Sequence, residues 1–212
     1  MFTFALLLGL GASLGLFQVA RAAPEREVGR WVDAGLGVLA GMLLGARAAY
    51  VGQHLAYYGA HPGEWLQLWQ GGFSAWGALP GGLLAAGIAA LIMEKPLAQA
   101  LDRLAPLCAP LAVLGWLGCS AAGCGYGPVM PTGAFPGLPG LDEWGRVQPR
   151  FPLQAAAALA LLGYNWGVAL ALPARSFAGQ RAALTGLGLA AVQLAAALIS
   201  AEPAPRWNGL IF

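Results

Sequence analysis

Charge is what this sequence has least of. Aspartate, glutamate, lysine and arginine make up 9% of its 212 residues, against roughly a quarter in soluble domains. So little charge cannot clothe the surface of an ordinary water-soluble fold. Lysine is nearly absent: Lys95 stands alone against ten arginines, and the net charge is only +2. The basic residues form no stripe, so no nucleic acid is expected as a partner. Three cysteines, Cys108, Cys119 and Cys124, are too few for a disulfide framework. The two histidines, His54 and His61, lie seven apart in a loop, where imidazoles are ordinarily solvated. No metal site and no cofactor is assigned to them. Phosphate-cradling loops, zinc motifs and serine-hydrolase elbows are likewise missing.

Apolar residues, in contrast, fill 58% of the chain and come in long runs broken by short charged clusters. That is the pattern of a polytopic membrane protein. Six spans are expected, at about 2–20, 31–51, 79–93, 104–122, 151–172 and 182–200. The segment Met-Phe-Thr-Phe-Ala-Leu carries no basic cluster, so the first run reads as a retained membrane helix and not a cleaved signal. The fold class is all-α: one helical bundle over 1–212, with glycine-rich irregular segments on its outer side.

The loops after spans one, three and five hold Arg21, Arg26, Arg30, Lys95, Arg103, Arg175 and Arg181. Arg146, Arg150, Arg206 and Arg47 belong to the other side. Basic loops stay in the cytoplasm, so both termini are expected outside. The outer side then carries Gln53–Gln70, with His54, Tyr57, Tyr58, His61, Trp65 and Trp69, an aromatic content typical of the membrane interface. Both glycine-rich stretches fall there too.

The first of these, Leu68–Gly82, has five glycines and two tryptophans. Irregular backbone at membrane depth must be buried in protein or line a cavity. The stretch could therefore be a re-entrant turn that only packs, or the lining of a ligand site. In span two, Gly37, Gly41 and Gly45 recur every four residues, a spacing for close helix contact. Arg47 follows them near the end of that span. It could snorkel to the interface or pair with an anion, of which lipid phosphate is the available one. Cys119 and Cys124 end span four in a second glycine-rich stretch. They could hold a metal, bridge, or carry an acyl group; the preferred reading is two small apolar fillers. Pro128–Arg150, with Asp142, Glu143, Trp144 and Arg146, reads as a polar loop. Acidic and basic groups are nearly absent from mid-span, which disfavours a transporter or channel.

Four stretches resemble the prolipoprotein diacylglyceryl transferase family. Gly-Ala-Arg-Ala-Ala-Tyr-Val from Gly45 is similar to its Gly-Gly-Arg-Leu-Gly-Tyr-Val. Leu68–Gly82 is similar to its Val-Trp-Glu-Gly-Gly-Met-Ser-Phe-His-Gly-Gly. Gly115–Gly127 resembles its Gly-Arg-Ile-Gly-Asn/Cys signature, and Pro149-Arg-Phe-Pro-Leu-Gln its Pro-Arg-His-Pro-Ser-Gln. The resemblance runs from the first span to the sixth and lacks the family's seventh. It implies a bacterial inner-membrane protein acting on phosphatidylglycerol and on the lipobox cysteine of a prolipoprotein. It also implies that Arg47 and Arg150 sit near the lipid phosphate. Tyr50, Gly71, Gly72, Ser74, Gly77, Gly118, Gly123, Gly127 and Gln154 would surround the lipid cavity.

The departures point the other way. The family's histidines fall on Trp76 and Phe151, its signature arginine on Trp116, and its asparagine on Cys119. An arginine and a glutamate of the sixth span fall on Gln193 and Ala197. Tryptophan is neither a base nor a cation. No catalytic residue is assigned with these groups gone. The expectation is a degenerate member that binds phospholipid or serves as a membrane-complex subunit; the alternative is an active, divergent transferase with rearranged groups.

Overall fold

The computed structural model describes residues 2–141, 144–172, 177–201, 206–207 and 210–211; the side chains of Gln70, Arg206, Trp207, Leu210 and Ile211 are not described. Asp142, Glu143 and Arg175, named above, lie outside these residues.

Eight helices account for most of the chain: α1 (Phe2–Ala22), α2 (Val28–Gln53), α3 (Leu55–Tyr58), α4 (Ala75–Ile92), α5 (Leu97–Leu104), α6 (Cys108–Ala122), α7 (Leu153–Ala171) and α8 (Gln180–Ile199). Among the described residues, six segments are long and apolar enough to cross a membrane, namely 2–22, 25–53, 75–92, 97–122, 153–171 and 180–199. This is the polytopic helical membrane architecture expected from the sequence. Large side chains such as Leu84, Leu91, Leu159 and Leu170 point outward from the packed helices, as a lipid-facing surface requires.

Three expectations need correcting. The helix of the third span starts at Ala75, so Trp76, Gly77 and Pro80 are helical and the irregular backbone ends at Ser74. The break expected over 94–103 is mostly helix: α5 begins at Leu97 and buries Ala100 and Leu104 on one face, which offsets its charged Asp102 and Arg103. The loop over 128–150 folds into a hairpin of β1 (Leu138–Leu141) and β2 (Val147–Arg150), with Leu138 opposite Arg150 and Leu141 opposite Val147. A second pair, β3 (Arg206–Trp207) with β4 (Leu210–Ile211), follows α8.

The chain divides into two compact units, one formed by 1–18 with 105–212 and the other by 19–104. In the second unit α2 packs along α4 through glycines. A Cβ on Gly45 would strike Gly77 O and lie 2.8 Å from Gly81 Cα; one on Gly41 would lie 2.7 Å from Gly81 O. Helix backbones in such contact exclude every larger side chain. Gly37, expected to share the seam, has nothing within 4 Å of its Cβ position. The other end of the unit is tied by Lys95 Nζ to Glu27 Oε1 (2.9 Å) and by the buried Trp31, whose Nε1 donates to Glu27 Oε2 (3.2 Å). In the first unit α6 lies on α1 at Gly11 and Gly118 and on α7, and Leu107 just before α6 packs on Gly15.

Candidate functional site

The residues singled out from the sequence fall into two clusters, one in each unit. In the second unit, Arg47 is 2% exposed, so the snorkelling alternative is excluded. Its guanidinium is wrapped in backbone carbonyls. Nε donates to Trp65 O (2.8 Å), Nη2 to Glu64 O (2.8 Å), and Nη1 to Gly71 O (2.6 Å) and Gly72 O (3.2 Å). Tyr58 lies 5.2 Å below the guanidinium. Four of the five N–H groups of an arginine are thereby used on the chain itself.

The glycines make that wrapping possible. Gly71 and Gly72 adopt φ of +80° and +75°, a region open to glycine. A Cβ on Gly72 would also meet the Tyr50 ring at 2.5 Å and Arg47 Nη1 at 2.8 Å. Ser74 is buried, donates its N–H to Ala46 O (3.0 Å) and accepts from Gln53 Nε2 (3.3 Å) through Oγ. Trp76, two residues on in the first turn of α4, is 44% exposed.

The two histidines repeat one arrangement. His54 Nδ1 faces Tyr50 O (2.9 Å) and His61 Nδ1 faces Tyr57 O (3.0 Å), each ring lying over the same tyrosine's ring. A carbonyl oxygen can only accept, so in this arrangement each Nδ1 is the donor. Tyr57 donates to Glu64 Oε2 (3.0 Å), and that carboxylate raises the phenol above its ordinary range, so it stays protonated near neutrality.

In the first unit the sequence around Arg150 builds a walled cavity of about 320 Å³. Its walls include Ser120, Tyr126, the hairpin strands, Arg150, Phe151 and Gln154. Arg150 ends β2 and is held on both sides, opposite Leu138 in β1 and bridged to Val129. Its side chain lies across Gly140, and its guanidinium sits 4.6 Å from the Tyr126 ring centroid. Nη1 donates to Gly127 O (3.3 Å) and Nη2 to Gln148 Oε1 (3.2 Å). Arg150 is 6% exposed and Gln154 9%. Gln154 Nε2 donates to Cys124 O (3.1 Å).

Of the other sequence candidates, Gly127 lets the chain pass against Phe151, whose carbonyl a Cβ would strike. Gly123 closes α6 in the left-handed conformation, and Gly118 packs on Phe4 at 2.9 Å from its Cβ position. These glycines shape the backbone and do not line the cavity themselves. Trp116 rests on Gly125, 2.8 Å from its Cβ position, and is not among the lining residues. Cys119 and Cys124 are joined by a disulfide, which replaces the apolar-filler reading. Tyr126 and Ser120 were not singled out from the sequence. Tyr126 stood inside Gly115–Gly127, the stretch that carried the resemblance, which was the available signal.

Comparison with known proteins adds a match over residues 1–192 to the family described as prolipoprotein diacylglyceryl transferase. A phosphatidylglycerol–prolipoprotein diacylglyceryl transferase of Bacillus licheniformis is 34% identical over 114 residues, covering 53% of this chain and 41% of the relative. One from Geobacter sulfurreducens is 33% identical over 168 residues, covering 74% and 60%. One from Bacillus velezensis is 32% identical over 114 residues, again covering 53% of this chain and 41% of the relative. The aligned stretches thus span less than two thirds of these relatives.

Proposed function

The chain belongs to the prolipoprotein diacylglyceryl transferase family, and on that premise we propose that it binds the headgroup of an anionic phospholipid, phosphatidylglycerol-like, without carrying out the family's transfer. The carrying observation is the make-up of the Arg150 cavity. It offers one buried cation, with the Tyr126 phenol and the Gln154 amide beside it, while the Ser120 hydroxyl donates to Leu117 O (2.6 Å) and can only accept; among its described lining residues there is no histidine, carboxylate or thiol. A guanidinium suits a phosphate, which it can grip through two parallel hydrogen bonds. Moving a diacylglyceryl group to a thiol also needs a base that makes the thiolate. At the position where the family resemblance expects histidine, the cavity wall includes Phe151, whose side chain has no group that can take a proton.

The volume fits a glycerophosphate headgroup and leaves the acyl chains to the bilayer. Arg47, in this reading, orders the segment from Glu64 to Gly72 and is not the headgroup's ligand; Tyr50, Gly71, Gly72, Ser74 and Gly77 belong to that ordering. Gly118, Gly123 and Gly127 shape the cavity's backbone.

The proposed setting is the bacterial cytoplasmic membrane, with 1–212 as one transmembrane domain and both termini outside. Two features support that orientation. Arg21, Arg26, Arg30, Lys95, Arg103 and Arg181 cluster where span one meets two, where three meets four, and at the start of span six, which is one side of the membrane. The Cys119–Cys124 bridge follows span four, and a bridge persists on the oxidising side.

An active, divergent transferase is the second reading. It is favoured by Trp116, which rests on Gly125 and leaves the cavity open. The two readings separate in cells depleted of their own transferase. With this chain expressed and inserted, thioether-lipidated lipoprotein should stay absent. Restored lipidation would overturn the non-catalytic reading and make a prolipoprotein the second substrate.

A further inference from the structure

We infer that the Cys119–Cys124 disulfide is a redox clamp on the wall of the Arg150 cavity, so that its reduction weakens anionic phospholipid binding there. This rests on the lipid-binding reading above.

The bridge spans the end of α6. Cys119 lies in the last turn, Gly123 turns the chain with φ of +72°, and Cys124 N–H returns to Cys119 O (3.1 Å). One residue beyond Cys119 is Ser120, a wall residue. Beyond Cys124 the chain runs through Gly125, at φ of +58°, to Tyr126 and Gly127. Tyr126 supplies the ring beside the Arg150 guanidinium, Gly127 O accepts from Nη1, and Cys124 O accepts from Gln154 Nε2. Three cavity contacts therefore hang on the segment that starts at the bridged cysteine.

The start of that segment is held by Cys124 N–H on Cys119 O, by Gln154 Nε2 on Cys124 O and by the Trp116 ring against Gly125, and the bridge adds a covalent tie to these weaker contacts. The residues on either side of Cys124 are glycines in left-handed conformations, Gly123 and Gly125, which resist disorder poorly because glycine has the most backbone freedom to regain. Its far end is tied down, since Tyr126 O accepts from Ala201 N (3.1 Å) and Ser200 Oγ (3.4 Å). At the near end the bridge is the covalent tie. Both cysteines are half-buried and not sealed in the core, so a small dithiol can reach them.

The chemistry balances. Reduction breaks one Sγ–Sγ bond, takes up two electrons and two protons, and leaves two thiols. The donor is a dithiol, for example that of an extracytoplasmic thiol–disulfide oxidoreductase, which is oxidised to its own disulfide in the exchange.

The test uses the full chain in nanodiscs containing phosphatidylglycerol and phosphatidylcholine, with and without dithiothreitol, and with thiol labelling to count free cysteines. Before reduction one thiol, Cys108, should label under denaturing conditions, and three should label after. Affinity for phosphatidylglycerol should fall about tenfold on reduction, a change worth about 1.4 kcal/mol. The C119S/C124S variant should start at the weakened level and ignore dithiothreitol, while C108S responds like the parent. Hydrogen exchange at the amides of 123–127 gives a readout independent of lipid, and protection there should drop. If the oxidised protein shows no preference for phosphatidylglycerol, the lipid-binding reading falls and the exchange data decide the clamp. Three free thiols in the protein as isolated, or unchanged exchange after complete reduction, would overturn it.

Discussion

Arg47 and Arg150 are both buried cations in a chain with few charges, and their surroundings give them different work. Arg47 is enclosed by four carbonyls of Glu64, Trp65, Gly71 and Gly72, and Arg150 faces a cavity. Replacing Arg47 by alanine strands several buried acceptors at once. It should destabilise the protein by about 3 kcal/mol or more, measured as thermal unfolding in detergent. Arg47→Lys should recover part of the loss, because an ammonium has three donors. An alanine variant as stable as the parent would show that these carbonyls find other partners. The sequence marked Arg47 as unusual because a cation within a span must be answered by something. It could not show the answer, since the carbonyls come from residues 17 to 25 positions away and reach the guanidinium only after Gly71 and Gly72 turn the backbone. Arg150 was legible through its Pro-Arg motif; the Tyr126 ring beside it was not, because that contact joins residues 24 apart across the hairpin.

Among the elements, the α2–α4 seam is a backbone-to-backbone contact made by glycines on both helices. Gly45→Ala or Gly77→Ala puts a methyl group into the facing backbone, and each should cost about 1–3 kcal/mol. Gly37→Ala, with open space around it, should be neutral or slightly stabilising. Equal losses at Gly37 and Gly45 would contradict the seam. The spacing of four in the sequence named all three glycines, because periodicity finds a helix face but not where the partner helix ends. The long spans were legible from hydropathy alone. The β1–β2 hairpin was not: Leu-Pro-Gly-Leu and Val-Gln-Pro-Arg lack the alternating β-branched residues that announce strands. Helix α5 was hidden by its charges, since a short amphipathic helix beside a span resembles a polar break.

At the scale of the whole molecule, the account sets an orientation and a function. With the outer side as proposed, a cysteine introduced at Gly63 should react with a membrane-impermeant maleimide in intact cells. One introduced at Gly29 should react only after permeabilisation. The reverse pattern would invert the topology and place the disulfide in the reducing compartment. The central claim is that Arg150 makes this chain a receptor for an anionic headgroup, and its most direct test is lipid selectivity. The parent protein and Arg150→Gln would be purified in nanodiscs of equal phosphatidylglycerol and phosphatidylcholine content, and the lipids retained on transfer to detergent would be quantified by mass spectrometry. The account predicts that the parent retains phosphatidylglycerol severalfold over phosphatidylcholine and that Arg150→Gln, while folded, loses the preference by about tenfold or more, in line with the loss of a charge-assisted hydrogen-bond pair. Equal retention of the two lipids by the parent, or an unchanged preference in Arg150→Gln, would contradict it.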